Sequence, residues 1–186
     1  MSVLAAPTYQ FTVEEYERLG QLGFFTKEDR VELLNGSLVV MPPIGIRHAA
    51  AVRRINKLFV VRFGDFCEVD VQSPMQLDGK SEPQPDLLLL RPGITDDLVR
   101  PVPVDVLLLV EVADSTLNFD LTDKRDAYAR NGIVEYWLLD LTQDQLLVFR
   151  DPAGLEYRSE AVLRGDEEVT PLCFPDTSVK VRELLP

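Results

Sequence analysis

The apolar positions of this chain fall into two kinds of run, and the difference between them predicts a layered fold. Leu87 to Leu90 and Val104 to Val112 are almost unbroken apolar stretches. A strand with one wet face alternates. An unbroken run marks a strand buried on both faces, at the centre of a sheet with helices over it. Phe66 to Val71, a short run ending at Leu77, Ile133 to Asp140 and Gln145 to Arg150 also read as strands. Elsewhere the spacing is three to four. His48 to about Phe63 carries Val52, Ile55, Leu58 and Phe59 on one stripe and predicts a helix. Asp120 to Asn131 predicts a second, closed by Gly132 as C-cap.

Local signals complete the pattern. Phe11 to Leu19 reads as a short helix with Thr12 as N-cap and Glu15 completing a capping box. Val31 to Leu34 and Ser37 to Met41 flank Asn35-Gly36, the strongest short hairpin signal. Pro42-Pro43 then ends the second strand. From Asp151 onward the expectation is short strands and turns on the sheet edge. The sum is one α/β domain over 1–186, with a mixed sheet flanked by helices, an added N-terminal hairpin and C-terminal strands. Residues 1–10 are expected to be flexible or loosely packed.

Composition narrows this only a little. The chain has 186 residues, 46% hydrophobic and 27% charged, an ordinary soluble composition. No run reaches the length of a membrane span. The start, Met1-Ser2-Val3-Leu4-Ala5-Ala6-Pro7, has no basic region and no long apolar run, unlike a signal peptide. Cys67 and Cys173 are isolated and have no metal-ligand spacing, which fits two free thiols in a reducing cytoplasm. The net charge of −12 argues against broad coating of nucleic acid. It leaves room for an enzyme that engages a few phosphates. Arg47, Arg53, Arg54, Lys57 and Arg62 lie in one stretch and form either a basic patch or a solvated helix face.

The chemistry concentrates on two carboxylates. Asp86 follows Pro85 and opens one apolar run, and Glu111 lies near the end of the other. If these strands pair antiparallel, the two acids meet at one sheet end. Charges there are costly unless paired. A divalent cation would pair them, since Mg²⁺ is typically held by one or two carboxylates plus phosphate oxygens. Asp120, Lys124 and Tyr128 recur at i, i+4 and i+8 on one helix face. That face can aim Lys124 at the acids, or it can carry a plain Asp120–Lys124 surface pair. Glu32 points away from its neighbours Val31 and Leu33, toward solvent or a site. His48, the only histidine, follows a Pro-Pro-x-Gly loop and fits a cap, a surface position or a pocket. Glu82 and Gln84 precede Asp86 and fit either pocket or loop. No Walker loop, dinucleotide fingerprint, zinc spacing or nucleophile elbow occurs.

Six stretches in order resemble one family. They are Phe11-Thr12-Val13-Glu14-Glu15-Tyr16, Arg30-Val31-Glu32-Leu33-Leu34-Asn35-Gly36 and Pro43-Ile44-Gly45-Ile46-Arg47-His48. Ser81-Glu82-Pro83-Gln84-Pro85-Asp86 and Leu109-Val110-Glu111-Val112-Ala113-Asp114-Ser115-Thr116 follow, then the segment from Asp120 through Lys124 and Tyr128 to Trp137. Together they resemble the Uma-type restriction endonuclease family of the PD-(D/E)XK nuclease superfamily, over residues 10 to 150. The resemblance implies a restriction-endonuclease-like core with a four- to five-stranded mixed sheet. It implies Asp86 and Glu111 as ligands of Mg²⁺ or Mn²⁺, with the Val112 carbonyl as a third. The superfamily places a lysine two residues after the second acid, where this chain has Ala113. The resemblance assigns that role to Lys124 on the following helix. Glu32 and His48 match family positions in the same pocket.

Two functions follow as expectations. One is a metal-dependent endonuclease cutting DNA, as a cytoplasmic homodimer with no membrane association. The other is an inactive nuclease-fold domain kept as a binding or assembly module, which the acidic balance favours.

Overall fold

The computed structural model describes residues 8–26, 29–94 and 99–186. Its frame is a six-stranded sheet in the order β3-β4-β5-β6-β7-β8. The strands are β3 (Glu68–Asp70), β4 (Leu87–Leu90), β5 (Val106–Ala113), β6 (Glu135–Asp140), β7 (Gln145–Ala153) and β8 (Glu156–Arg164). Every neighbouring pair is antiparallel except β5 and β6, which are parallel. A parallel pair needs a crossover. Here it is helical: α3 (Leu117–Phe119), a π-helical turn (Asp120–Lys124) and α4 (Arg125–Arg130). The crossover returns the chain across one sheet face, directly after the end of β5.

Both faces are covered, as the unbroken apolar runs predict. Leu87 and Leu89 of β4, Val110 of β5 and Trp137 of β6 pack with α2 (Ile46–Phe63) through Val52, Ile55, Phe59 and Phe63. Leu88, Leu90, Leu109, Tyr136 and Leu138 point the other way, onto Ala127 and Tyr128 of α4. Val181 and Leu184 of α5 (Val181–Leu184) join the α2 side. None of the described helices is long and apolar enough to cross a membrane.

The N-terminal elements form where expected. Thr12 caps α1 (Val13–Gln21) in a complete capping box with Glu15. β1 (Val31–Leu34) and β2 (Ser37–Val40) form a hairpin outside the main sheet. Asn35 and Gly36 both have positive φ, 51° and 75°, as a type I′ turn requires. Leu33 bridges to Glu82, so the hairpin lies over the segment that leads into β4.

Three expectations need correction. The run ending at Leu77 forms no strand; Met75 and Leu77 are apolar because they fill the α4-side core. Val104 belongs to a 3-10 turn over Pro103–Asp105, so β5 starts at Val106. The sheet has six strands rather than four or five, because the nine-residue β8 adds an edge strand beside β7. β8 is an edge strand exposed at most positions, so its sequence shows no apolar alternation. The C-terminal region otherwise supplies the short pair β9 (Glu168–Val169) and β10 (Val179–Lys180). Within the stretch expected to be loose, Met1–Pro7 lie outside the described residues. Gln10 is held by Lys80, whose Nζ donates to its Oε1 at 2.8 Å, and Tyr9 donates to Glu15.

The hairpin turn generates a stability test. A Cβ at Gly36 would sit 2.6 Å from Gln10 Cβ, in addition to the positive φ. Gly154, in the two-residue β7–β8 loop, has φ 67° but nothing within 4 Å of an added Cβ. Gly36→Ala is expected to cost about 1–3 kcal/mol and more than Gly154→Ala, as measured by urea unfolding. Equal losses would contradict the Gln10 contact.

Candidate active site

The β4–β5 register brings the two carboxylates together. Leu87 opposes Val110, so Asp86 and Glu111 follow as the next pair, on the sheet face that carries α4. The Asp86 N–H approaches Glu111 Oε2 at 3.4 Å, and the Val112 N–H donates to Asp86 Oδ2 at 2.9 Å. Both acids are nearly buried, at 6% and 3% exposure.

The crossover supplies the cation. Lys124 Nζ donates to Glu111 Oε1 at 2.9 Å and lies 3.1 Å from Glu32 Oε2. Tyr128 OH donates to the same Glu111 oxygen at 2.6 Å. Asp120 accepts from Thr116 Oγ1. Asp120, Lys124 and Tyr128 are all buried, so the shared face faces the site rather than solvent. The helix is not the plain α-helix expected over Asp120 to Asn131. At Asp120–Lys124 it widens into a π turn, and the Arg125 N–H reaches back five residues to the Asp120 carbonyl. Such turns are rare and concentrate at functional sites. Arg125 pairs with its neighbour Asp126, away from the acids.

Asp86 is held from the other side of the sheet end. His48, in the first turn of α2, places Nε2 3.0 Å from Asp86 Oδ2. Gln72 Nε2 donates to Asp86 Oδ1 at 3.1 Å, from a backbone at φ 53°. A non-glycine residue in that region is strained. His48 Nδ1 is buried without a hydrogen-bond partner.

These side chains line a cavity of about 150 Å³, bordered by Glu32, His48, Gln84, Asp86, Glu111 and Lys124, with Asp120 and the Pro42–Gly45 loop at its rim. Of the expected pocket residues, Glu32, His48 and Gln84 are there. Glu82 is not. It turns to Arg100, 3.1 Å away, which also binds Glu17. Its place beside Pro83 gave no hint of that partner on a distant loop. Tyr128 stands behind Glu111 rather than on the cavity wall. Sequence reasoning missed Gln72, which nothing in the local pattern marks. It also treated Asp120 only as a partner for Lys124.

Charge is unbalanced in this space. Burial pushes the Glu111 carboxyl up to about 8 against the pull of Lys124, and Asp86, Asp120 and Glu32 add to the rise. Burial likewise pushes Asp120 up to about 6. Burial would raise Asp86 too, but His48, the Val112 N–H and Gln72 hold it below its ordinary value. Burial would lower Lys124, yet Glu111, Glu32 and Asp120 together hold it above the usual lysine range. The amine is therefore held as an ammonium, and it is buried rather than part of a surface pair.

The donor set fits a hard divalent cation in kind and in charge. It offers carboxylate oxygens in a cavity with more negative than positive groups. The N–H and C=O of one strand residue point to the same side. The Val112 carbonyl therefore points past the end of β4 beside Asp86, and Val112 borders the cavity. Among the described residues no three His, Cys, Asp or Glu side chains are already arranged as a metal cage.

A pH test follows. Glu111 titrates at 4.5 ordinarily and at about 8 in the fold, and Asp120 at 3.8 and about 6. Between these values the folded state keeps protons that the unfolded chain has released, so stability falls as pH rises. Burial raises Glu82 to about 7 and adds in the same sense. The depressed Asp86 acts in the opposite sense, below 3.8. The metal-free protein is expected to melt at a higher temperature near pH 5.5 than near pH 8, and Glu111→Gln is expected to flatten that slope. A melting temperature that rises over this range would contradict the burial-raised carboxyl.

Comparison with known proteins adds to the geometry. The profile of the family Uma2, described as "Putative restriction endonuclease", matches residues 13–182. The fold is similar to the crystal structure of a "putative nuclease belonging to DUF820" from Anabaena variabilis ATCC 29413. The two share 14% identity at a TM-score of 0.73, over 94% of this chain and 97% of that one. A search of curated proteins gives no match.

Proposed function

From its membership of the Uma2 family, to which this chain belongs across residues 13–182, we propose that the protein is a Mg²⁺- or Mn²⁺-dependent endonuclease that hydrolyses DNA phosphodiesters. The observation that carries this reading is the buried set of Asp86, Glu111 and Lys124 at one strand end, opening on a cavity. Asp86, Glu111 and the Val112 carbonyl would hold the cation. When bound, it would supply Lewis-acid polarisation of the phosphate and a more acidic water.

The chain's own residues do the rest. Lys124 Nζ, fixed as an ammonium by Glu111 and Glu32, offers its charge to the phosphoryl oxygens as negative charge develops there. Tyr128 and Lys124 together hold Glu111 Oε1, which fixes that carboxylate's rotamer. His48 and Gln72 do the same for Asp86. Ala113 contributes no functional group, so the positive charge comes from the crossover rather than from β5. Cutting both strands of a duplex needs two sites, which favours a C₂ homodimer. DNA as substrate and two free cysteines favour the cytoplasm.

One observation favours the second reading, a nuclease fold retained as a binding module. The Asp86 oxygens already accept from Val112, His48 and Gln72, and Lys124 already bridges two carboxylates. Asp86 and Lys124 thus have partners without a cation, while His48 Nδ1 does not. Nicking of supercoiled plasmid with Mg²⁺ or Mn²⁺ separates the two readings. The wild type is expected to nick. Asp86→Asn and Glu111→Gln, folded by circular dichroism, are expected to abolish nicking. Lys124→Met is expected to slow it about 10²–10⁴-fold, the range for a positioned charge or proton-transfer group. A wild type without activity under both metals, or variants that nick at the wild-type rate, would overturn the nuclease reading.

A further inference from the structure

The cations of this chain are almost all committed. Among the described residues, every lysine and arginine except Arg53 and Lys57 makes an intramolecular hydrogen bond or ion pair. Within the basic stretch of α2, Arg47 binds the Leu141 carbonyl and Asp144. Arg54 binds the Glu183 carbonyl, and Arg62 binds Glu183 and the Ser178 carbonyl. These three serve tertiary structure, which divides the stretch that the sequence presents as one patch. Arg53 and Lys57 are exposed. They stand at i and i+4, side by side on one face of α2. Like charges in that arrangement repel, and in a chain of net charge −12 carboxylates are abundant. None of the described ones comes to either residue.

Their position matters as much as their freedom. Arg53 and Asn56 line a second hollow of about 190 Å³, together with Ala49, Val52, Val71 and Gln72. Ile44 borders both this hollow and the acid cavity. Gln72 lines the hollow and binds Asp86 Oδ1 with its side chain. The hollow therefore adjoins the acid cavity at Ile44 and reaches Arg53, with Lys57 one helical turn further along α2.

We propose that Arg53 and Lys57, with Asn56 between them, form a clamp for the backbone phosphates of a nucleic-acid strand that runs from the acid cavity along α2. This rests on the nuclease reading for the direction of the strand. A guanidinium grips a phosphate with two parallel N–H donors, and a lysine adds a point charge. The clamp also answers the problem set by the acidic pocket. The cavity repels a polyanion when no cation is present, so the affinity for a strand must come from beside it. Arg53 and Lys57 are the uncommitted positive charges among the described residues.

The test measures binding apart from cleavage. Fluorescence anisotropy follows a labelled DNA duplex binding in Ca²⁺ across a salt series. Hydrolysis of bis(p-nitrophenyl) phosphate in Mn²⁺ reports the acid cavity alone, because Arg53 and Lys57 do not line that cavity. The double variant Arg53→Ala/Lys57→Ala is expected to weaken duplex binding at least about tenfold. Its salt slope should flatten by about 1 to 2, near 0.9 per lost phosphate contact. It is expected to hydrolyse the small ester at the wild-type rate. The charge-matched Arg158→Ala/Arg182→Ala removes two exposed, paired cations and is expected to change neither readout. A double variant with wild-type affinity and salt slope overturns the clamp, and so does a wild type that binds no duplex at low salt. Ester hydrolysis with an unchanged salt slope leaves the nuclease reading standing without the clamp. A flattened slope without ester hydrolysis leaves the clamp standing without the nuclease.

Discussion

One buried ammonium serving several buried carboxylates is the constraint around which this structure is arranged. Lys124 is 1% exposed and faces Glu111, Glu32 and Asp120, with Asp86 beside them. Taking these groups out of water is costly unless geometry and further hydrogen bonds compensate. Each nearby element contributes. The crossover brings Tyr128 and the Asp120–Thr116 pair, the hairpin brings Glu32 to the lysine, and α2 brings His48 to Asp86. Removing one member leaves a charge stranded in low dielectric. Hence a domain with two ordinary apolar cores carries a third, polar centre at one strand end.

The two central carboxylates differ in kind. Asp86 accepts three hydrogen bonds and sits below its ordinary pKa, while Glu111 is pushed up to about 8. Environments that push a pair of acids apart assign them separate roles. Asp86 is an anion throughout the neutral range, and Glu111 is the group whose charge changes near neutral pH. The π turn contributes to this division. It sits in the crossover where Asp120 and Lys124 must both be buried against the strand end, next to a tyrosine that must reach Glu111.

Much of this was legible in the sequence. The unbroken leucine and valine runs identify β4 and β5 as central strands, and antiparallel pairing then forces Asp86 beside Glu111. Asn35-Gly36 specifies its own turn through two positive φ angles. The placement of Lys124 follows from helical spacing and from the resemblance that made it the replacement for the residue at Ala113. What could not be read depends on contacts between distant segments. Glu82 finds Arg100 across 18 positions of sequence and a proline-rich loop. Gln72 binds Asp86 from a strained backbone that no local pattern encodes. β8 is an edge strand with little buried surface, so hydrophobic alternation is absent. The basic stretch of α2 looked uniform because the carbonyls and acids that engage Arg47, Arg54 and Arg62 lie about 90 to 130 residues further along the chain.

Calorimetric titration of the metal-free protein with Mn²⁺ tests most directly the proposal that Asp86 and Glu111 of this polar centre hold a divalent cation. Saturable binding of about one or two ions is expected, the number such carboxylate sites hold. Asp86→Asn and Glu111→Gln should lose the binding while keeping their folded circular dichroism spectra. Absence of binding by the wild type, or binding untouched by either substitution, would contradict it and leave Lys124 with its carboxylates as a self-contained structural network.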